Sequence, residues 1–317
     1  NMQEEIIAFV PLLLLLTRRL GFDAITAMAV SVGAAAVGAA FSPINPFQVG
    51  IAQKLAELPL LSGWAFRSLF LALALTLWIA GTLRHAHRTR SAAAALGETP
   101  AETLGRRDKV ILVLVLSAFA TFVYGVLRLG WDFDQMSALF FFMGVTAGLV
   151  GGLGVGGTSA AFVEGFRGMA GAAMVIGFAR AIYVVLDDGR IIDTIVDALF
   201  RPIASLPTAL AAFGIMGVEA LVHVPVPSVS GEAVLTMPLL VPLSDLLRLS
   251  RQVTVLAYQY GAGLCELATP TNGALMAILA AAGVRYEDWM RFALPLCAAL
   301  FALGLAALAL GVAIGLS

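Results

Sequence analysis

The sequence has 317 residues, 60% hydrophobic and only 12% charged, with a net charge of −1 and a mean hydropathy of +0.95. Soluble domains carry about 25% charged residues, so this apolar surplus cannot be hidden in one aqueous core and calls for a lipid solvent. The near-zero charge excludes the basic surface that a nucleic-acid partner needs, and Cys265 and Cys297, both inside apolar runs, exclude a disulfide framework and a cysteine metal site.

The chain starts at Asn1 and enters an apolar run with no signal-peptide charge pattern ahead of it. Glu5–Leu20 and Ala24–Leu58 are apolar but punctured by Pro, Gly and polar residues. Trp64–Leu83 is the first uninterrupted span, of the roughly 20 apolar residues a crossing helix needs. Arg84–Lys109 is the one clearly hydrophilic connection; Arg84, Arg88, Arg90, Arg106, Arg107 and Lys109 place it in the cytoplasm. Val110–Leu127, Met136–Leu153 and Gly171–Leu186 read as further spans. The glycine run Gly148–Gly157 between them has no preceding strand, so close helix packing or a helix end explains it better than a dinucleotide fingerprint. Pro207–Leu247 and Val253–Gly283 are again broken, and Phe292–Ile314 is the last span.

Two stretches repeat. Glu5 and Glu232 stand 227 positions apart, and the same offset pairs Pro11 with Pro238, Pro43 with Pro270 and Asn45 with Asn272. Glu, Pro and Asn are scarce in this chain, so four such matches without a gap define an internal repeat. Trp64 and Arg67 match Trp289 and Arg291 at a slightly different offset. Residues 1–83 then form the C-terminal part of a first repeat, 84–109 a cytoplasmic linker, and 110–317 a second repeat. A first repeat as long as the second would require about 120 residues before Glu5. Tracing the spans from the linker inverts the two halves in the membrane: Pro207–Leu247 re-enters from the outside as a hairpin and Val253–Gly283 crosses inward. Arg190, Arg201, Arg248 and Arg251 then fall outside, against the positive-inside preference. The fold class expected is an all-α polytopic membrane protein of inverted repeats, with re-entrant helical hairpins and discontinuous helices.

The breaks carry the chemistry. Proline lacks a donor and clashes with the preceding turn, so helices stop at Ser42-Pro43-Ile44-Asn45-Pro46 and at Thr269-Pro270-Thr271-Asn272-Gly273. Unwound backbone at membrane depth survives only where it is buried in protein or lines a wet cavity. Freed carbonyls, with the oxygens of Ser42, Asn45, Thr269, Thr271 and Asn272, compose a hard-oxygen shell suited to a cation such as Na+. The N-termini of the following half-helices suit an anion. The plainer alternative is a proline kink with Asn as a helix cap. A second constellation, Val224 to Glu232, reads as a hairpin tip exposing Ser228, Ser230 and the Gly231 backbone, or else as an ordinary loop. Intramembrane ionisable groups are functional candidates by default: Glu5, Glu232 and Glu266 as coupling carboxylates, then Glu219 and His223, the histidine reading more simply as structural. No His-Glu-x-x-His, Gly-x-Ser-x-Gly or phosphate-loop pattern occurs, and with three histidines no nucleophile–base pair or metal cluster of an intramembrane enzyme is visible. No organic cofactor is called for.

Ser42 to Gln53, followed by Leu58 to Gly63, resembles the YfcC-type branch of the anaerobic C4-dicarboxylate carrier family, within the ion transporter superfamily. Pro227 to Pro238, Pro270 to Ala277, Phe162 to Met169 and Ile176 to Arg180 share the resemblance. It implies scaffold and transport domains in a homodimer of the inner cell membrane. It implies one site formed by Ser228, Ser230 and Gly231 facing Thr269, Thr271 and Asn272, and another formed by Asn1 and Glu5 facing Ser42 and Asn45. Much of the first tip's pattern is absent. The activity implied is Na+- or H+-coupled transport or exchange of a small organic anion or amino acid, with a sodium/proton antiporter as the competing reading.

Overall fold

In the computed structural model, the residues described are 6, 9–90, 105–129, 131, 133–191, 194, 198 and 200–316. Asn1 and Glu5, expected to face Ser42 and Asn45, lie outside them. Among the described residues all regular structure is helical. The chain divides into two compact units, residues 96–170 and the remainder.

The larger unit opens with α1 (Val10–Arg19) and α2 (Ala24–Met28). Asp23 caps α2, its carboxylate accepting from the Thr26 N–H at 2.9 Å and the Thr26 hydroxyl at 2.6 Å. A π turn, Ala29–Gly33, leads into α3 (Ala34–Phe41). That turn has a packing cause: a Cβ on Gly33 would stand 2.3 Å from the Trp78 ring, and the Trp78 indole N–H donates to the Ala29 carbonyl at 2.9 Å. After the break at Ser42–Asn45 come a second π turn, Pro46–Gly50, then α4 (Ile51–Leu55) and the long α5 (Trp64–Thr89). The smaller unit holds α6 (Arg106–Leu129), α7 (Phe133–Val150) and the start of α8 (Gly154–Asp188). The glycine run is a helix end: Gly152 and Gly154 have φ of +86° and +65°, a conformation glycine adopts without steric cost. Gly154–Ala170, which lies outside the spans expected from sequence, is helical and continuous with the expected span that starts at Gly171.

The larger unit resumes with α9 (Thr208–Val222), α10 (Val229–Leu246), α11 (Arg251–Cys265), α12 (Gly273–Ala282) and α13 (Tyr286–Ala313). Its centre is α11, buried on every face from Gln252 to Leu264. Small residues make this enclosure possible, because a missing Cβ lets neighbouring backbones approach. A Cβ on Gly261 would lie 2.3 Å from the Met216 carbonyl of α9, and one on Gly263 would lie 2.8 Å from Ala40 Cβ of α3. Around this helix, Trp78, Trp289 and Phe292 join α5 to α13 through tilted and edge-on ring contacts. By length and composition four described segments can cross a membrane: Ala24–Leu55, which contains the first break, Trp64–Thr89, Val229–Leu246 and Tyr286–Ala313.

Candidate site at the second helix break

Unwinding α11 after Cys265 leaves carbonyls that need partners, since buried backbone acceptors are rarely left unpaired. Two are met by α13: the Trp289 indole donates to Leu267 O at 2.9 Å, and the Tyr286 hydroxyl donates to Ala268 O. Asn272 closes the break. Its side-chain oxygen caps α12 by accepting from the Leu275 N–H at 3.2 Å, and its Nδ2 donates to Glu266 O at 3.1 Å and Glu266 Oε2 at 2.9 Å.

The turn between α9 and α10 is fastened to this break. Thr271 donates its hydroxyl to Val224 O at 2.6 Å, so the Thr269 hydroxyl, 2.7 Å away, donates to Thr271. Ser228 caps α10 by accepting from Gly231 N–H at 3.3 Å, and the Tyr258 hydroxyl donates to Val229 O. Ser230, half-buried, sits in the first turn of α10.

Behind the turn lies a charged cluster. Glu219, His223 and Glu232 are all 0% exposed, and Glu266 is 6% exposed. His223 Nδ1 is 2.7 Å from Glu232 Oε2, while Nε2 faces Glu266 Oε1 at 3.3 Å without the alignment of a hydrogen bond. Thr236 bridges inward, 2.9 Å from Glu232 O and 3.3 Å from Glu219 Oε2. Glu219 Oε1 and Glu232 Oε1 are buried without hydrogen-bond partners. Glu232 and Glu266 face the imidazole and Glu219 adjoins them through Thr236, so three carboxyl groups share one imidazole and outnumber it in charge. In so dry a place the excess negative charge needs a proton or a small cation. Among the described residues no group of three His, Cys, Asp or Glu is arranged to hold a metal ion.

The structure thus brings Glu232, Glu266, Thr269, Thr271 and Asn272 together with the turn bearing Ser228, Ser230 and Gly231. The Asn272 oxygen is engaged in capping, so the expected shell of free amide oxygens is not free in this arrangement. Ser42 and Asn45 are placed by the first break. Asn45 caps the following turn through Phe47 N–H at 3.1 Å, and the Ser42 hydroxyl accepts from Ile44 N–H at 3.1 Å. Ser42 O accepts from Gln259 Nε2 at 2.7 Å, and Gln48 Nε2 donates to Gln259 O at 2.8 Å. These bonds tie the first break to the middle of α11. Sequence reading missed Thr236, Gln48, Gln252, Gln259 and the interior place of Arg67. Two glutamines, Gln252 and Gln259, seven residues apart on one apolar helix, are the signal that could have found that pair.

A surface cavity of about 470 Å³ lies elsewhere on this unit, lined by Asp23, His85, Arg285, Asp288 and Arg291 among others. Burial acts to raise the Asp23 carboxyl there, but hydrogen bonds from Thr26 and the neighbouring His85, 2.9 Å away, outweigh it and hold the group below its ordinary value.

Residues 1–313 match the family of DcuC, the C4-dicarboxylate anaerobic carrier. The chain is 32% identical to an Escherichia coli protein described as "Putative basic amino acid antiporter YfcC", over 95% of this chain and 64% of that relative. It is 31% identical to an uncharacterized protein of Haemophilus influenzae, over 96% of this chain and 63% of that one. No solved structure matches. This chain belongs to the C4-dicarboxylate anaerobic carrier family, and with its apolar helices it is a multi-pass membrane protein. It spans just under two thirds of the length of the curated relatives it matches.

Proposed function

We propose that this chain forms the solute-handling part of a cation-coupled secondary transporter or exchanger for a small carboxylate-bearing metabolite, a C4-dicarboxylate or an amino acid, in the inner cell membrane. The observation that carries the reading is the His223–Glu232–Glu266–Asn272 network, buried where a helix break meets the turn between two apolar helices. Burying charge is costly, and a fold that needed only stability would fill this space with apolar side chains. Here the charges join two elements, a turn and a break, that can separate without unravelling a long helix. Protons or small cations that neutralise Glu219 and Glu232 would favour the joined state, so cation binding and solute access are linked. The family supports carriage, and the antiporter description of the Escherichia coli relative supports exchange as its form.

The test is uptake by proteoliposomes of the full-length protein, with labelled dicarboxylates and amino acids under imposed sodium or pH gradients. Gradient-driven accumulation of at least one carboxylate-bearing solute is expected, falling at least about tenfold in Asn272→Ala, which removes a charge-assisted bond to Glu266 and a helix cap. Sodium or proton flux that proceeds equally with no organic solute would instead identify a sodium/proton antiporter.

A further inference from the structure

The cavity of about 470 Å³ beside Asp23 and His85 shares no residue with the second break. Both acids in its wall are already engaged. Asp288 accepts from Arg285 Nε at 2.8 Å and Nη2 at 3.0 Å. Asp23 accepts from Thr26 and faces His85 Nε2 at 2.9 Å, while Phe292 meets the His85 ring edge-on at 4.9 Å. Arg291, also in the wall, is different. Its side chain is 77% exposed, and its one ion pair among the described residues is a loose contact of Nη1 with Asp288 Oδ1 at 3.5 Å. A guanidinium carries five N–H donors, so most of those on Arg291 are open to an acceptor from outside the protein.

About one turn further along the same two elements lies an apolar groove of about 220 Å³. The π turn and the start of α3 form one wall with Ala29, Val30 and Ala34, and α5 forms the other with Ile79, Thr82 and Leu83. Val30, Ile79 and Leu83 are each about half exposed. Directly after Leu83 the helix becomes basic, with Arg84 and Arg88. That change sets the cavity at the level of lipid headgroups and the groove at the level of acyl chains. From His85 to Trp78, which also lines the groove, α5 rises about 10 Å. Thr82 meets the groove with carbon, while its buried hydroxyl is without a hydrogen-bond partner. Buried hydroxyls are seldom left so, and one rotamer step would let it meet an acceptor lying in the groove.

We propose that cavity and groove together bind one glycerophospholipid, with its phosphate at Arg291, its ester region beside Thr82 and part of one acyl chain between α3 and α5. Arginine recognises phosphate through paired, charge-assisted hydrogen bonds. An ester carbonyl supplies the acceptor that the Thr82 hydroxyl lacks, and the alanines and exposed apolar side chains of the groove suit hydrocarbon. A soluble phosphate would use the first of these features alone, and a lipid without phosphate only the others. The bound lipid would join α2, α5 and α13 at the edge of the larger unit, in a place separate from the transported solute.

The test uses the full-length protein, delipidated in detergent and followed by thermal shift and native mass spectrometry. The probes are dioleoyl phosphatidylglycerol, dioleoyl phosphatidylethanolamine, dioleoylglycerol and soluble glycerol 3-phosphate. At least one phospholipid is expected to stay bound and to raise the melting temperature, where dioleoylglycerol and glycerol 3-phosphate do not. Its dissociation constant is expected to rise about tenfold in Arg291→Gln, at an exposed position, and in Ala34→Leu, which fills the groove. Arg167→Gln, on an exposed arginine of the smaller unit, is expected to leave it unchanged. Equal binding of glycerol 3-phosphate would make this a site for soluble phosphate, and equal binding of dioleoylglycerol would remove the phosphate contact; either overturns the proposal. Binding by neither phospholipid overturns it too, as does affinity unchanged in either variant or lowered as much by Arg167→Gln. If Ala34→Leu does not fold, Arg291→Gln against Arg167→Gln decides.

Discussion

His223 sits with one ring nitrogen 2.7 Å from Glu232 and the other 3.3 Å from Glu266, at zero exposure. Such a ring is tolerable in the interior only while both carboxylates face it, and they are tolerable only while it is there. Removing one partner of a buried pair typically costs about 3–5 kcal/mol, because the other charge is left uncompensated. His223→Leu is therefore expected to destabilise the detergent-solubilised protein by that amount in a denaturation series, and His223→Gln, which keeps donor capacity, by clearly less. The sequence singles out Glu232, Glu266 and Asn272 because Glu and Asn are scarce in apolar runs and fall beside prolines. It does not reveal that His223 is the hub, since a lone histidine carries no pattern of its own. Arg67 is harder still: its partners Gln259 and Gln252 are 192 and 185 residues away, a distance no local spacing can bridge.

At the scale of elements, the two breaks are legible because proline forbids the next helical bond and a following Asn supplies the cap. Asn45 and Asn272 do cap the segments that follow them. The π turn at Ala29–Gly33 is not legible, because its cause lies in α5, where Trp78 claims both the Ala29 carbonyl and the space above Gly33. The helical course of Gly154–Ala170 is also hidden, since its five glycines, Gly154 to Gly168, lower local propensity and packing decides the outcome. The enclosure of α11 has a direct consequence. A methyl group on Gly261 meets the Met216 backbone oxygen, which cannot move without displacing α9 and with it Glu219. Gly261→Ala is expected to cost about 1–3 kcal/mol, the usual penalty for overpacking, and to lower transport through displaced carboxylates. Unfolding and uptake measured on the same preparation check this, while Gly217→Ala, whose Cβ meets nothing within 4 Å, serves as the control.

At the scale of the molecule, the larger unit places two polar centres along one buried helix. Gln252 and Gln259 serve the cationic centre around Arg67, and the C-terminal end of α11 delivers Glu266 to the anionic centre around His223. One buried helix thus serves both centres, and under the proposed function a movement of its C-terminal end would be felt at each. Under the proposed function the second break opens and closes around solute and cation, and Cys265, the residue before Glu266, reports on that movement directly. It is half-buried, whereas Cys297 is buried and can be replaced by serine to leave a single thiol. The rate of Cys265 labelling by a small membrane-impermeant thiol reagent is to be measured in proteoliposomes, with and without a transported solute and its coupling cation. Labelling that slows severalfold when both are present is the expected result; a rate indifferent to every solute that the protein transports would contradict the account.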